Sequence, residues 1–192
     1  MSKKALLWDY AKAIITALVF AYIFRATIAG SYEIPSESMV PALQVGDRLL
    51  VDKLAYRFRN PVRGDIVVFK YPKDPSRDFI KRIIALPGET LEIRNRVVYI
   101  GGVPLADSTF VYHSDPAWQR VPVRDDYGPV IVPPDAYFMM GDNRENSADS
   151  RVWGFLNRDM VVGRAFVIYW SRNPETAFPR EIRWDRFGKL LG

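Results

Sequence analysis

The sequence predicts a mainly β, antiparallel domain preceded by one N-terminal membrane-spanning helix. The chain has 192 residues, which suffices for one domain of about 150 residues plus an anchor. Two observations carry the prediction. Residues 5–24 are mostly apolar. After residue 30 the helical period disappears, and short runs of β-branched and aromatic residues alternate with Gly, Pro, Asn and Asp.

The N-terminal segment, residues 1–30, is predicted to be a retained membrane anchor. About 20 apolar residues span a hydrocarbon core, and Lys12 can extend its ammonium group to the interface. Lys3, Lys4 and Lys12 precede the apolar run and only Arg25 follows it closely. This bias favours an N-terminus inside and residues 31–192 outside.

Two other interpretations of this segment stay open. The uninterrupted apolar run covers only residues 13–24, which would also suit a buried core helix. A cleavable signal peptide is the second, because Thr27 and Ala29 precede Gly30 at the spacing of a cleavage site. Arg25 lies close to that point and disfavours cleavage.

The body of the chain is predicted to be an antiparallel sheet structure. Spacings of about 10 to 15 residues between the runs leave no room for crossover helices. A small β subdomain is predicted as an insertion around residues 92–135. The predicted strands cover residues 48–53, 65–70, 79–86, 90–94, 97–100, 130–132, 137–140 and 160–170. The tail, 172–192, is predicted either to pack on the domain or to lie at an interface.

Composition excludes several classes of site. The chain has no cysteine and one histidine, which excludes Cys nucleophiles, disulfides and Cys/His zinc sites. His113 lies in a turn-rich polar stretch, so a surface loop is favoured over a Ser-His-Asp triad. The net charge of +5 is scattered, so lipid head groups are at least as plausible a partner as nucleic acid.

Ser38 is a candidate nucleophile. Pro35 and Pro41 bracket it, and each fixes φ and removes a backbone donor. The segment therefore cannot continue a helix, and Ser38 is expected on an irregular turn where its hydroxyl can be exposed. A plain linker behind the anchor is the alternative.

Lys81 is the best available base for Ser38. A serine hydroxyl needs a base, and with His113 set aside that base must be a carboxylate or a lysine. On a strand, Lys81 shares a face with Phe79 and Ile83, and an apolar site lowers a lysine pKa. The alternative is a strand-edge charge that extends outward, as Arg82 is expected to do on the other face.

The polar loop 141–151 is the second candidate feature. It does not fit a calcium loop, because Arg144 occupies the third position and the sixth position lacks glycine. Asp149 and Arg151 suit an ion pair, and Ser147 could hydrogen-bond a neutral lysine and orient its lone pair.

These segments closely resemble the conserved boxes of type I signal peptidase, the bacterial leader peptidase family. The resemblance covers nearly the whole chain after the anchor, and four boxes occur in the family's order. They are residues 34–43 (IPSESMVPAL), residues 46–56 (GDRLLVDKLAY), residues 63–69 with 79–82 and 86–89, and residues 141–154 (GDNRENSADSRVWG).

The resemblance implies a serine endopeptidase with a Ser–Lys dyad that removes signal peptides after a small-x-small motif. It implies Ser38 as nucleophile, Lys81 as general base, and the Ser38 N–H with the Ser36 hydroxyl as oxyanion hole. Ser147, Asp149 and Arg151 would support the dyad. Shallow pockets for the small residues would be lined by Ile34, Pro35, Met39, Leu43, Phe79 and Ile80.

The resemblance also implies the setting of the enzyme. Its partners would be the signal peptides of exported preproteins and a phospholipid bilayer, with no nucleic acid, no metal and no cofactor. It places the catalytic domain on the outer face of the bacterial cytoplasmic membrane. The sequence departs from the family at Glu37, where many relatives carry glycine, and a bulkier acid there is expected to alter backbone freedom or access.

Three alternatives to this interpretation stay open. The first is a self-cleaving Ser–Lys protease of the SOS-repressor type; the membrane-like segment of this chain argues against it, because such proteases lack one. A non-catalytic anchored β-domain would bind exported chains without needing Ser38 and Lys81. A peptidase dedicated to one conjugation or pilus substrate is the third.

Overall fold

A computed structural model describes residues 8–19, 29–106, 110–112, 125–177, 179 and 181–191. Residues 8–19 form the first helix, α1. Within these ranges no helix has the length and apolarity needed to cross a membrane. The rest of the predicted anchor, residues 1–7 and 20–28, lies outside the described residues, as does His113.

The described part of the domain is built mainly of strands. They are β1 (Ala29–Glu33), β2 (Asp47–Asp52), β3 (Ile66–Tyr71), β4 (Asp74–Ala85), β5 (Thr90–Arg94), β6 (Val97–Ile100), β7 (Val103–Pro104), β8 (Tyr127–Ile131), β9 (Ala136–Met140), β10 (Leu156–Asn157), β11 (Val161–Ser171) and β12 (Lys189–Leu190). Short helices are α2 (Ala55–Phe58) and α3 (Ser150–Trp153), with 3-10 turns at Glu37–Met39, Arg158–Met160 and Trp184–Arg186.

The strands form two antiparallel sheets. The larger has the order β1-β2-β11-β3-β4-β9-β10, with β12 also paired to β11, and the smaller has the order β7-β6-β5-β8. Each predicted run lies on a strand with shifts of a few residues at its ends, so the antiparallel prediction is confirmed. The prediction lacked β1, because its Gly and Ser resemble a linker behind the anchor, and also the two-residue strands.

Strand β4 positions the site. Its partner β3 accompanies it from Asp74 to Arg82, whereas β9 pairs with it only from Arg82 to Ala85. No described strand pairs with the second edge of β4 before Arg82. Lys81 therefore lies just before the point where β4 gains a second neighbouring strand.

The tail packs on the domain, which was one of the two predicted outcomes. Arg186 lies in the last 3-10 turn, and its guanidinium forms a buried ion pair with Asp47 at 2.6 Å. The same guanidinium donates to the Ala42 carbonyl at 2.9 Å. The tail thus braces the start of β2 and the segment that follows the Ser38 turn.

Candidate active site

Ser38 lies in the 3-10 turn Glu37–Met39, directly after β1 and Pro35. The turn begins at Ser36, whose backbone is extended, and closes with the Val40 N–H donating to the Glu37 carbonyl at 3.1 Å. Ser38 is only 8% exposed, in contrast to the expected exposed hydroxyl. The reason is its close contact with β4.

The Lys81 side chain meets Ser38 across this contact. Lys81 Nζ lies 2.7 Å from Ser38 Oγ and 2.9 Å from the carbonyl oxygen of Ile80. Lys81 is 4% exposed. The structure therefore brings together the two side chains, 43 residues apart in sequence, that the Ser–Lys hypothesis pairs.

Burial sets the charge state of Lys81. Desolvation lowers the pKa of Lys81 from 10.5 to about 8, while Asp149 and Asp142 act in the opposite direction. The face of the Phe79 ring lies 5.7 Å from Nζ and also favours the charged form. Because desolvation outweighs these attractions, roughly a tenth of the amine is uncharged at pH 7, against roughly 0.03% for a free lysine.

Ser36 lies beside the same hydroxyl. Its Oγ is 3.4 Å from Ser38 Oγ, and its side chain is exposed. A donor at this distance from the nucleophile can reach an oxygen that develops on an attacked carbonyl carbon. The oxyanion role of Ser36 stays a prediction.

A small pocket lies between the end of β1 and the part of β4 that precedes Lys81; neither Ser38 nor Lys81 lines it. Its volume is about 40 Å³, so it is a small cavity. It suits a very small side chain. Its lining comprises Tyr32, Glu33, Ile34, Pro35, Val68, Asp78, Phe79 and Ile80.

Four of the six predicted pocket residues therefore line one cavity, and two do not. Met39 and Leu43 are fully buried in the core cluster beneath the turn, against Leu49 and Ile168. They pack beneath the Ser38 turn, and their role in a substrate pocket stays a prediction.

The loop after β9 closes the other side of the site. Asp149 is completely buried, caps the N-terminus of α3, and pairs with Arg151 at 2.8 Å. The predicted ion pair is confirmed. Burial alone would raise the pKa of Asp149, but hydrogen bonds from Arg151 and the Gly141 N–H hold it below its ordinary value. Asp149 is therefore a fixed negative charge near Lys81.

Ser147 does not hydrogen-bond Lys81 in the structure. Its Oγ is buried, has no partner with hydrogen-bond geometry among the described residues, and is near enough to Asp149 to help lower that pKa. A Cβ on Gly141 would overlap Ser147 Oγ and the Ser38 carbonyl, so the three residues are in close contact. The Ile80 carbonyl holds the amine instead, and the orienting role of Ser147 stays a prediction.

Arg82 does not extend outward, so that prediction is wrong. It is buried, and its Nε and Nη2 donate to the two Asp142 oxygens at 2.8 and 2.7 Å, while Nη1 donates to the Gly64 carbonyl at 2.8 Å. Burial raises the pKa of Asp142 and the Arg82 guanidinium opposes that shift. A buried arginine is tolerated here because each donor group meets an acceptor.

Asn143 is a site residue that the sequence did not single out. Its N–H donates to the Ser38 carbonyl at 3.2 Å, and its Nδ2 donates to the Glu37 carbonyl at 3.3 Å. The Ser38 turn is thereby fastened to the loop 141–151. Only its position directly after Asp142 in a dense polar loop could have suggested such a role.

No group of His, Cys, Asp and Glu side chains that could hold a metal ion occurs within the described ranges. An uncharged amine in contact with a hydroxyl can remove its proton and so activate it.

Comparison with known proteins identifies the relatives of this chain. Residues 7–170 match the family described as Signal peptidase, peptidase S26. The chain is 40% identical to a probable signal peptidase I-1 of Synechocystis sp., over 95% of this chain and 90% of that protein. It is 43% identical to a probable signal peptidase I-2 of the same organism, over 84% and 72%. It is 38% identical to a signal peptidase I of Aquifex aeolicus, over 85% of each.

Proposed function

This chain belongs to the signal peptidase family, peptidase S26, and we propose that Ser38 and Lys81 carry its peptide-bond hydrolysis. The enzyme is a serine endopeptidase that removes signal peptides from exported preproteins. The observation that carries the proposed dyad is the 2.7 Å contact between Lys81 Nζ and Ser38 Oγ, with both side chains buried.

The proposed reaction uses this geometry. The uncharged Lys81 amine takes the Ser38 proton as Oγ attacks the carbonyl carbon of the scissile bond. The oxyanion accepts hydrogen bonds from the Ser38 N–H and the Ser36 hydroxyl, and one such donor is typically worth about 3–4 kcal/mol. Lys81 then gives its proton to the departing amine. Lys81 then deprotonates a water molecule that attacks the acyl ester, and it passes this proton to Ser38 Oγ as the ester bond breaks.

The small pocket supports selection of a small residue before the scissile bond. Ile34 and Pro35 approach from one side, and Phe79 and Ile80 from the other. Because no strand among the described residues pairs with this edge of β4, an extended substrate can add to it with main-chain hydrogen bonds. A small side chain can enter this cavity, whereas a large aromatic side chain would have to displace the packed residues of the pocket.

Cleavage of a preprotein in detergent tests the assignment of activity. Purified enzyme is expected to cut after a small-x-small motif, giving two products whose masses identify one bond. A preprotein with a large aromatic residue at the position before that bond is the matched control and is expected to resist. Cleavage at unrelated bonds, or none, contradicts the proposal.

Residues 1–30 are proposed as the membrane anchor, on the bacterial cytoplasmic membrane with the catalytic domain on the outer face. The apolar composition of residues 5–24 and the excess of Lys before them support this. In α1 the side chains of Trp8, Ile14 and Leu18 are exposed rather than packed on the domain.

Protease protection tests this topology. In right-side-out vesicles the domain is expected to be degraded by added protease, and in inverted vesicles it is expected to be protected. Release of the protein by alkaline carbonate, or the opposite protection pattern, contradicts the proposed anchor.

A further inference from the structure

Glu37 places an exposed carboxylate next to the nucleophile. It precedes Ser38 within the same 3-10 turn, and its side chain is exposed. Its backbone is not among the positive-φ positions, so Glu37 adopts this turn without the strain of a left-handed conformation. Compared with a glycine, this residue adds both a negative charge and the bulk of a side chain beside the nucleophile.

Contacts with the loop 141–151 hold Glu37 in place. Asn143 Nδ2 donates to its carbonyl at 3.3 Å, and Asn146 Nδ2 donates to its Oε2 at 3.5 Å. Among the described residues no Lys or Arg forms an ion pair with it. The carboxylate is thus positioned by an amide but not neutralised.

The topology of β4 shows on which side of the dyad this carboxylate lies. The small pocket uses residues 78–80, before Lys81, whereas the Asn143 loop follows β9, which pairs with β4 after Lys81. The Ser38–Lys81 contact therefore separates the pocket from the Glu37–Asn146 rim. In the binding mode that this arrangement suggests, a chain whose small residue fills the pocket continues past the dyad toward that rim.

We propose that Glu37 is a specificity-determining residue that favours substrates with a basic residue in the first two positions after the scissile bond. The inference rests on the proposed function. Consecutive Cα atoms are 3.8 Å apart, so the backbone of these two positions lies within about 8 Å of Ser38, the neighbour of Glu37. The Debye length at physiological ionic strength is also about 8 Å, so salt screens an attraction over this distance only in part. Exposed opposite charges at such separations contribute little each, so the preference is modest and salt-dependent.

A set of matched peptides tests the inference. They share one signal sequence and differ only in the second residue after the scissile bond, which is Lys, Gln or Glu. Wild type is expected to cleave the Lys peptide with a kcat/KM about two- to fivefold above the Glu peptide. Glu37→Gln is expected to bring this ratio close to 1, and Glu37→Lys to invert it. Raising the salt concentration is expected to compress the wild-type ratio.

The control variant is Asp159→Asn, which removes an exposed acid in the turn Arg158–Met160. This turn follows β10, which pairs with the far end of β9, away from residue 140. Asp159→Asn is expected to keep the wild-type ratio. If Glu37→Gln and Glu37→Lys both keep the wild-type ratio of kcat/KM between the Lys and Glu peptides, the inference is overturned. Cleavage of the Gln peptide in the same experiment would still uphold the proposed function. Failure to cleave any of the peptides overturns both.

Discussion

Ser38→Ala and Lys81→Met are each expected to lower kcat/KM for preprotein cleavage by at least about 10⁴-fold, the scale on which a nucleophile and its base act in serine proteases. Ser38→Ala removes the attacking oxygen. Lys81→Met keeps a linear side chain of similar length in the same cavity but removes the amine that accepts the proton. Initial rates on one preprotein, measured for both variants beside wild type, give the comparison.

Thermal unfolding separates loss of chemistry from loss of fold. Lys81→Met is expected to be more stable than wild type at pH 7, by up to about 3 kcal/mol, because the folded state disfavours a charge that the unfolded chain carries freely. With a folded pKa of about 8, this cost applies fully below pH 8 and is relieved as the pH approaches 10.5.

Non-additivity provides the second control. Because the two residues act in one step, the double variant Ser38→Ala/Lys81→Met is expected to be no less active than either single variant. Substantial cleavage by folded Lys81→Met contradicts the dyad, as does a double variant whose loss equals the product of the single losses.

Arg82→Met is expected to destabilise the domain by about 3–5 kcal/mol, the usual cost of leaving one member of a buried ion pair uncompensated. The pair joins β4, one residue after Lys81, to Asp142, one residue before Asn143. Loss of the guanidinium strands a carboxylate that is 1% exposed. Denaturant unfolding of the two proteins measures the difference.

Arg48→Met is the matched control for this prediction. Arg48 pairs with Glu33 at 3.0 Å, but the two side chains are 44% and 47% exposed, so the expected cost is within about 1 kcal/mol. Equal costs for Arg82→Met and Arg48→Met contradict the structural role given to the buried pair. The double variant Arg82→Met/Asp142→Leu is expected to recover part of the lost stability, because neither charge is then left unpaired.

Sequence patterns predicted the burial of Lys81 but not that of Arg82. Both lie on one strand with apolar residues around them. The alternation of apolar residues along β4 predicts which side chains share a face of the strand. It does not predict which side chain, distant in sequence, packs against that face. The partner of Arg82 is 60 residues away, in a loop whose conformation depends on Asp149, Arg151 and backbone contacts.

The same limit applies to the oxygen that holds the Lys81 amine. Ser147 was a candidate because a hydroxyl can orient an amine. In the structure, Lys81 Nζ instead donates to the carbonyl oxygen of Ile80, its neighbour in sequence. Main-chain carbonyls carry no sequence signature, so residue type alone could not have identified this contact. The turn at Ser38, in contrast, follows from Pro35 and Pro41, whose effect is local.

The dependence of kcat/KM on pH tests most directly whether an uncharged Lys81 activates Ser38. Because this parameter reports groups of the free enzyme, kcat/KM for the Gln peptide is expected to fall tenfold per pH unit below an apparent pKa of about 8. Below that pH the amine is protonated and cannot accept the serine proton. A profile that stays flat from about pH 6 to pH 9, or that falls only near pH 6.5 as a histidine base would produce, contradicts the account.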